Sequence, residues 1–215
     1  MTGREPLRGF LMTAPDGTLW RFDPGSLFLE FLLTGGPGDV AVVDTLHAAD
    51  DLARWASASR VSLPADAIVV TRKELSLARA IRAALCRLTG AVLNGGAFAP
   101  LDVTIVNHVA ARPPLTPHID STGSAAWVLP STGIAVLSAV ARDGIDVLTG
   151  TMAGRLRECE GGDCRLVFLD TSRPGSRRWC SMERCGNRHK VRQLRGRRAA
   201  ADPRSAAPSR EGESR

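Results

Sequence analysis

The 215-residue sequence predicts an α+β protein in two unequal parts, a mainly α-helical N-terminal domain and a small C-terminal module built around cysteines. Two observations predict this division. Before residue 150, apolar residues recur at intervals of three and four over several segments, which is the spacing of one helix face. After it, four of the five cysteines fall between residues 159 and 185. A chain of this length suits one domain with a smaller appended module.

Positive charge is concentrated in the second part. Residues 155–198 carry 13 basic and five acidic residues, a net charge of +8, whereas the whole chain has a net charge of +6. The preceding residues 1–154 have a net charge of −2. Such asymmetry indicates that the C-terminal part has a polyanionic partner.

The first elements are short. Turn residues in "APDGT" at 14–18 predict a β-hairpin around that turn. The apolar segment "SLFLEFLL" at 26–33 precedes two glycines and predicts a short buried helix with Ser26 as its N-terminal cap.

Two longer helices are predicted next. The spacing of Leu46, Leu52 and Trp55 predicts a helix that starts at Asp44 or Thr45. Residues 71–90 give the clearest helical pattern, which Gly90 is expected to end. Its apolar face is formed by Leu75, Leu77, Ile81, Leu85 and Leu88.

The domain is completed by two further predicted helices, at 99–111 and 131–149. The Ser/Gly/Thr-rich segment between them, around Trp127, is predicted to be a hairpin or a loop. The Ala/Ser/Pro/Arg-rich tail at 199–215 has little apolar surface to bury and is expected to be disordered.

The cysteine spacing C-x4-C-x15-C-x4-C indicates a zinc site. Zinc takes four ligands at tetrahedral corners, and paired ligands close in sequence can meet one ion when the chain between them turns tightly, as the glycines at 161 and 162 allow. Four thiolates leave no open position for water, so the predicted ion is structural. The predicted ligands are Cys159, Cys164, Cys180 and Cys185. The fifth cysteine, Cys86, is expected to be a small core residue of its helix.

The residues around the second cysteine pair predict the rest of the module. "RLVFLD" and "SRRWC" flank the turn "TSRPG", which predicts a strand, a turn and a second strand between the pairs. Ser181 is placed to cap a following helix that contains Cys185. A knuckle, a β-hairpin and a helix around one zinc form a treble-clef-like module, and the metal would supply much of its folding energy.

The segment "FLDTSRPGSRRWCSMERCGNRHKVR" resembles the CGNR zinc finger, which is named for the residues at 185–188. This finger typically closes bacterial proteins whose N-terminal part is an ABATE domain, a family described as putative stress-induced transcription regulators. The segments "LFLEFLLTGG", "DDLARWASAS", "LARAIRAALCRL" and "VTIVNHVAARPPL" occur in the order expected of that domain.

The resemblance implies an ABATE-like domain at 1–150 that senses or dimerises, a CGNR-type zinc finger at 151–198 and the tail at 199–215. It also implies a bacterial regulator of stress responses. Glu30 and Leu33 stand where relatives commonly carry Asp and Asn, so a polar site at these positions would be altered in this chain.

A helix over 181–198 would place Val191 and Leu194 on one side, packed on the hairpin near Phe168 and Trp179. His189 is expected to face solvent. The basic side chains remain for nucleic acid, and all but two of the chain's 28 basic residues are arginine, whose planar fork suits phosphate. The candidate contact residues are Arg177, Arg178, Arg184, Asn187, Arg188, Lys190, Arg192 and Arg195.

Other roles for the basic residues stay open. Arg157, Arg165 and Arg184 could neutralise the cysteine sulfurs, or the basic helix could dock on the acidic N-terminal part. Asn187 could brace the turn near the metal. The module could also be a zinc-stabilised protein-interaction module that does not bind DNA.

The sequence therefore predicts a zinc-dependent DNA-binding transcription regulator. Polar residues of the N-terminal part lack the paired spacing or glycine-rich loop of a catalytic site, so no enzyme is expected. A small-molecule effector and a homodimer are left open. The chain lacks an apolar run of about 20 residues and a secretory signal, so a cytoplasmic protein is expected.

Overall fold

The computed structural model describes residues 9–13, 17–35, 44–162 and 164–201, with the backbone alone for 198–201. Six helices are found within these ranges, and five of them precede residue 150. They are α1 (Leu27–Leu32), α2 (Ala49–Ala58), α3 (Arg72–Asn94), α4 (Pro100–Ala110), α5 (Gly133–Thr149) and α6 (Asn187–Ala201). None of these described helices is long and apolar enough to cross a membrane.

The strands of the described residues form four two-stranded pairings. Three pairings are antiparallel: β1 (Phe10–Thr13) with β2 (Leu19–Phe22), β4 (Pro117–Ile119) with β5 (Ala125–Trp127), and β7 (Leu156–Glu158) with β8 (Val167–Leu169). The fourth pairs β3 (Ile68–Val69) with β6 (Ser131–Thr132) in parallel. This combination of a helical N-terminal part with small sheets confirms the predicted fold class.

The long helix α3 lies at the centre of the helical part and contacts α1, α2, α4 and α5. Ile81 and Leu85 on its inner face are fully buried. Gly144 on α5 lies against this face, and a Cβ there would come within 2.7 Å of Leu85 Cδ2. Close packing therefore explains the glycine in α5.

Helix α1 starts after Ser26, as predicted, but the serine hydroxyl does not cap it. The backbone N–H of Phe28 donates instead to the carboxylate of Asp143, on α5, at 2.8 Å. A side chain 115 residues away therefore satisfies the helix N-terminus. This interaction also joins α1 to α5.

Helix α2 starts at Ala49, so the prediction of a start at Asp44 or Thr45 was wrong. Asp51 accepts hydrogen bonds from the backbone N–H groups of His47 and Ala48, at 2.7 and 2.6 Å, and thereby caps the helix. Leu46 is buried before the helix begins.

Helix α3 starts with the reciprocal cap between Thr71 and Glu74 and continues to Asn94, so the prediction that Gly90 ends it was wrong. The helix ends at Gly95, whose φ of 65° lies in the left-handed region that glycine adopts without strain.

Helices α4 and α5 agree with the predicted segments within two residues. The segment around Trp127 is a hairpin, one of the two predicted alternatives.

The N-terminal hairpin β1–β2 forms as predicted, although residues 14–16 of its turn lie outside the described residues. Its inner side chains Trp20 and Phe22 share one apolar cluster with Phe168, Leu166 and the four predicted zinc ligands. The hairpin that starts the described chain therefore completes the core of the C-terminal module, which the sequence did not indicate.

We expect Phe22→Ala to lower the free energy of unfolding by about 3–5 kcal/mol, because the ring is fully buried in this small cluster. Leu19→Ala on the same strand is the matched control, since Leu19 is 59% exposed and its truncation should change stability by less than about 0.5 kcal/mol. Urea unfolding followed by tryptophan fluorescence measures both. Equal losses in the two variants would contradict the placement of the hairpin.

Candidate metal centre

The four predicted zinc ligands are brought together. The sulfur atoms of Cys159, Cys164, Cys180 and Cys185 all lie within 4.8 Å of one another, and all four residues are buried. The Sγ–Sγ distances are 3.8 Å for Cys164–Cys180 and 3.5 Å for Cys180–Cys185. A disulfide would require about 2.05 Å, whereas a tetrahedron of sulfurs about 2.3 Å from zinc has edges of about 3.8 Å. The residues therefore fit one zinc ion, which they can hold without another ligand.

The hairpin β7–β8 positions the first cysteine pair. Cys159 directly follows β7, and its backbone N–H donates to Leu166 O at 2.9 Å, so the chain turns back on itself between the two ligands. At Gly161 a Cβ would come within 2.8 Å of Cys185 Sγ. The turn can approach the sulfurs this closely only because that position has no side chain.

The prediction of a strand pair between the two cysteine pairs was partly wrong. Strand β8 forms within "RLVFLD", but it pairs with β7, which precedes Cys159, and "SRRWC" is not a strand. Side chains hold that segment instead. Asp170 accepts the backbone N–H groups of Ser172 and Arg177, at 2.9 and 2.8 Å.

The second cysteine pair lies at the start of a helix, as predicted. The hydroxyl of Ser181 accepts the backbone N–H of Glu183 at 3.1 Å, and residues 182–186 then form one wide, π-type turn that carries Cys185 inward. Cys180 binds back to the first pair, since its backbone N–H donates to Cys159 Sγ at 3.2 Å. Helix α6 continues from this turn.

The sulfur cluster needs a cation to become fully deprotonated. Hydrogen bonds from the thiols of Cys164 and Cys180 hold the pKa of Cys159 well below its usual range. Donation to Cys159 raises the pKa of both donor thiols, and burial raises the pKa of Cys185. One thiolate thus keeps its neighbours protonated, whereas zinc binds four thiolates by supplying the compensating charge.

The three arginines considered as an alternative source of charge for the sulfurs bind other groups. Arg157 donates to the carbonyls of residues 154 and 156, and Arg165 pairs with Glu158. The guanidinium of Arg184 lies 5.0 Å from the ring centroid of Trp20. These observed contacts stabilise backbone and aromatic groups around the cluster.

Arg177 braces the module internally. Its guanidinium donates to Trp179 O, Cys180 O and Asp23 O at 3.0, 2.6 and 3.1 Å, and it lies 4.1 Å from the ring centroid of Phe168. Burial lowers the pKa of this arginine. Its donor groups are engaged in joining the metal-binding segment to the N-terminal hairpin. Sequence reasoning had placed it among the nucleic-acid contacts.

The remaining candidate contacts lie along the start of α6 and beside it. Arg178 is exposed and forms an ion pair with Glu160 at 2.5 Å. The Asn187 side chain donates to Glu183 O at 3.2 Å, which braces the turn next to Cys185. Lys190, Arg192 and Arg195 are all exposed.

The predicted packing of α6 was wrong. Val191 is 46% and Leu194 is 50% exposed. The alternative that the helix docks on the acidic N-terminal part is also not seen, because every residue from 190 to 197 is exposed. The reason is that Trp20 and Phe22 already cover the apolar residues beside Phe168. His189 is half-buried rather than solvent-facing, with its ring centroid 4.7 Å from that of Trp179. One turn further on, the exposed Arg192 still reaches back to the turn at Gly162.

Two family models match the chain. The model described as "CGNR zinc finger" matches residues 155–198, and the model described as "ABATE: Putative stress-induced transcription regulator" matches residues 25–151. No curated protein matches the chain at a significant level. The N-terminal hairpin at 10–22 lies outside both matches, although its side chains pack on the cysteine cluster.

We expect the protein to hold one zinc ion per chain, and Cys164→Ser and Cys180→Ser to lose it, because three thiolates no longer fill the tetrahedron. Native mass spectrometry measures the bound metal. Cys86→Ser is the matched control, since Cys86 lies on α3 outside the cluster and its loss should leave zinc in place. Zinc retention in the Cys164 and Cys180 variants would contradict the assignment.

We expect Gly161→Ala to weaken zinc binding by about 1–3 kcal/mol, the usual cost of overpacking, because the added Cβ would lie 2.8 Å from Cys185 Sγ. Gly162→Ala is the control, since its Cβ would meet its nearest neighbour, Arg192 Nη1, at an ordinary 3.6 Å. Competition with a chromogenic zinc chelator measures both affinities. If the two variants lost affinity equally, close packing at Gly161 would not be the cause.

Proposed function

Because the chain belongs to the ABATE family, described as putative stress-induced transcription regulators, we propose that it regulates transcription by binding duplex DNA through α6. In this proposal residues 1–150 form the regulatory domain and residues 151–198 the DNA-binding zinc finger. Neither family description names an enzyme, and the proposal assigns no catalytic residue.

The observation that carries the proposal is the exposure and charge of α6. The helix contains six basic residues and no acidic one, and it is exposed on all sides from Lys190 to Arg197. A helix that packs on its own protein normally buries one apolar face. A helix in the major groove of DNA instead passes between two phosphate backbones, where positive charge on several sides is favourable.

The base of α6 is held firmly while the rest projects. Cys185 belongs to the sulfur cluster, and the ring of His189 stacks on Trp179. Beyond this contact each described side chain from 190 to 197 is exposed. The zinc ion, when bound, supplies the folding energy that holds the turn 182–186 in place. The metal therefore supports the helix and takes no part in DNA contact.

Five of the eight candidate contacts fall into three groups. Lys190, Arg192 and Arg195 are exposed on the projecting part, so the proposal assigns phosphate contact to these three. Arg177 has its guanidinium bound by three carbonyls and acts as a brace. Arg178 has Glu160 as a partner and would reach DNA only by exchanging that ion pair.

A protein-interaction module is the second candidate, and the exposed apolar side chains on α6 and in the turn before it favour it. Val191, Leu194 and Met182 are 46%, 50% and 54% exposed. In DNA, such side chains could contact thymine methyl groups. On a protein partner they would instead be buried, and affinity would then depend little on salt.

We expect the zinc-loaded protein to bind a mixed-sequence duplex with an affinity that falls steeply between about 50 and 200 mM salt, as counterion release requires. The triple variant Lys190→Gln, Arg192→Gln, Arg195→Gln should reduce the slope of log affinity against log salt by about 2 to 3, because each lost phosphate contact removes about 0.9. Fluorescence anisotropy measures both.

The matched control is Arg72→Gln, Lys73→Gln, Arg112→Gln, which removes three exposed charges from the helical domain. This control should bind DNA as the unchanged protein does. Absence of DNA binding at low salt would contradict the proposal. A loss of binding in Val191→Ser, Leu194→Ser towards a protein partner, without salt dependence, would favour the interaction module.

A further inference from the structure

A cavity of about 280 Å³ lies where the helical domain meets the zinc module. Helices α1 and α3 form one side of it, and residues 158 and 165–167, in and beside the hairpin β7–β8, form the other. Most of its wall is apolar and is formed by Leu29, Leu32, Leu33, Leu93, Leu166 and Val167. Pockets for small molecules commonly lie at domain boundaries and have mainly apolar walls.

Gly90 supplies an independent reason to regard this space as a binding site. It lines the cavity within the 23-residue helix α3, where a glycine costs about 1 kcal/mol relative to alanine. A Cβ at this position would meet no neighbouring atom within 4 Å, unlike the Cβ at Gly144. Neither backbone strain nor packing therefore requires Gly90, and what its missing side chain provides is the open volume of the cavity.

The wall offers one guanidinium that an anion can bind. Its charged residues are Arg87, Arg165 and Glu158. The guanidinium of Arg87 is already bound by Asp102 at 2.6 Å, so Arg165 is the group left for an anion. The ion pair of Arg165 with Glu158 is exposed, with side-chain exposures of 70% and 41%. Such exposed pairs contribute little stability, so a ligand carboxylate can replace Glu158 at small cost. A guanidinium also matches the geometry of a carboxylate.

The size of the cavity limits the ligand. A volume of 280 Å³ equals the liquid volume of about nine water molecules at about 30 Å³ each, which is room for roughly ten non-hydrogen atoms. We propose that the cavity binds a small carboxylic acid with an apolar aromatic or branched body, its carboxylate facing Arg165. Because both domains line the cavity, the bound acid stabilises the contact between them. This site does not depend on whether α6 binds DNA.

The cavity holds its ligand non-covalently. The thiol of Cys86 lies in its wall, and burial raises the pKa of that thiol to about 11. The group therefore stays protonated at neutral pH and is a poor nucleophile.

Isothermal titration calorimetry on the full-length, zinc-loaded protein tests the proposal with 4-methylbenzoate and its neutral analogue 4-methylbenzyl alcohol. We expect 4-methylbenzoate to bind with a dissociation constant below about 1 mM and 4-methylbenzyl alcohol to bind more weakly. Arg165→Gln should weaken 4-methylbenzoate about tenfold and leave 4-methylbenzyl alcohol unchanged, because only the first has a charge to pair.

Gly90→Leu should place a branched side chain in the cavity, since its Cβ would meet no neighbouring atom within 4 Å, and weaken both probes by more than about tenfold. Gly90→Ala is its control, since a single methyl group leaves most of the volume and should keep binding while raising the melting temperature through helix propensity. Zinc content and melting temperature verify that each variant folds, and Arg165→Gln, on an exposed side chain, gives an answer even if Gly90→Leu does not fold.

Three results of these titrations would overturn the proposal in whole or in part. Failure of both probes to bind below about 1 mM, or unchanged binding in a folded Gly90→Leu, overturns the site. Equal affinity for the two probes overturns the carboxylate specificity. No DNA is present in these titrations, so their failure is separate from any failure of DNA binding by α6.

Discussion

Four sulfur atoms buried within 4.8 Å of one another determine the form of the C-terminal part of the chain. They belong to two separate turns that have little apolar surface, so the segments gain their order mainly from the shared ion. The cluster cannot hold four thiolates without a cation, because one thiolate raises the pKa of the donor thiols around it. The metal is consequently the condition for the turn that starts α6, and for the direction in which that helix projects.

The same cluster explains why α6 is free. The apolar group around Phe168 is small, and Trp20 and Phe22 of the N-terminal hairpin occupy it. With that place taken, Val191 and Leu194 find nothing to pack on among the residues that the structure describes, and they stay half exposed. The exposure of α6 therefore follows from the way the two ends of the described chain share one apolar cluster. The positive charge of the helix is not its only cause.

Local signals allowed much of this to be predicted from the sequence. The metal ligands follow from paired spacing, because both ligands of a pair must lie in one turn, and the longer helices follow from apolar periodicity. Contacts between distant residues left no such signal. The donation of Phe28 N–H to Asp143 spans 115 residues, and the pairing of β8 with β7 could not be told from pairing with "SRRWC". Periodicity identified the apolar face of α6 but could not say whether anything covers it.

The roles of the glycines were only partly predictable from the sequence. Each role depends on backbone angles and on neighbouring atoms, which the residue type alone does not specify. Gly95 ends α3 at a φ of 65°, whereas Gly90, which the pattern suggested as the end, lies inside the helix. Gly161 is required by the approach of Cys185 Sγ. The three positions look alike in sequence. The left-handed φ distinguishes the helix end, and the atoms around a missing Cβ distinguish the metal-site turn from the cavity wall.

Helix α1 joins the two parts of the molecule. It also shows the structural roles of Glu30 and Leu33, the two positions where relatives commonly carry other residues. Glu30 is buried and binds the backbone and guanidinium of Arg60, at 2.9 and 3.0 Å, while burial raises the pKa of its carboxyl. Arg60 also binds the carboxylate of Asp23, and the backbone carbonyl of Asp23 accepts a hydrogen bond from Arg177. Leu33 lies in the cavity wall. Glu30 therefore belongs to a chain of contacts that runs from α1 to the metal-binding segment, and Leu33 belongs to the apolar space beside it.

Since a buried charge left without its partner is costly, this junction between the two parts of the molecule is held in one arrangement. An acid in the cavity would thus act by strengthening an existing junction and not by turning one domain against the other.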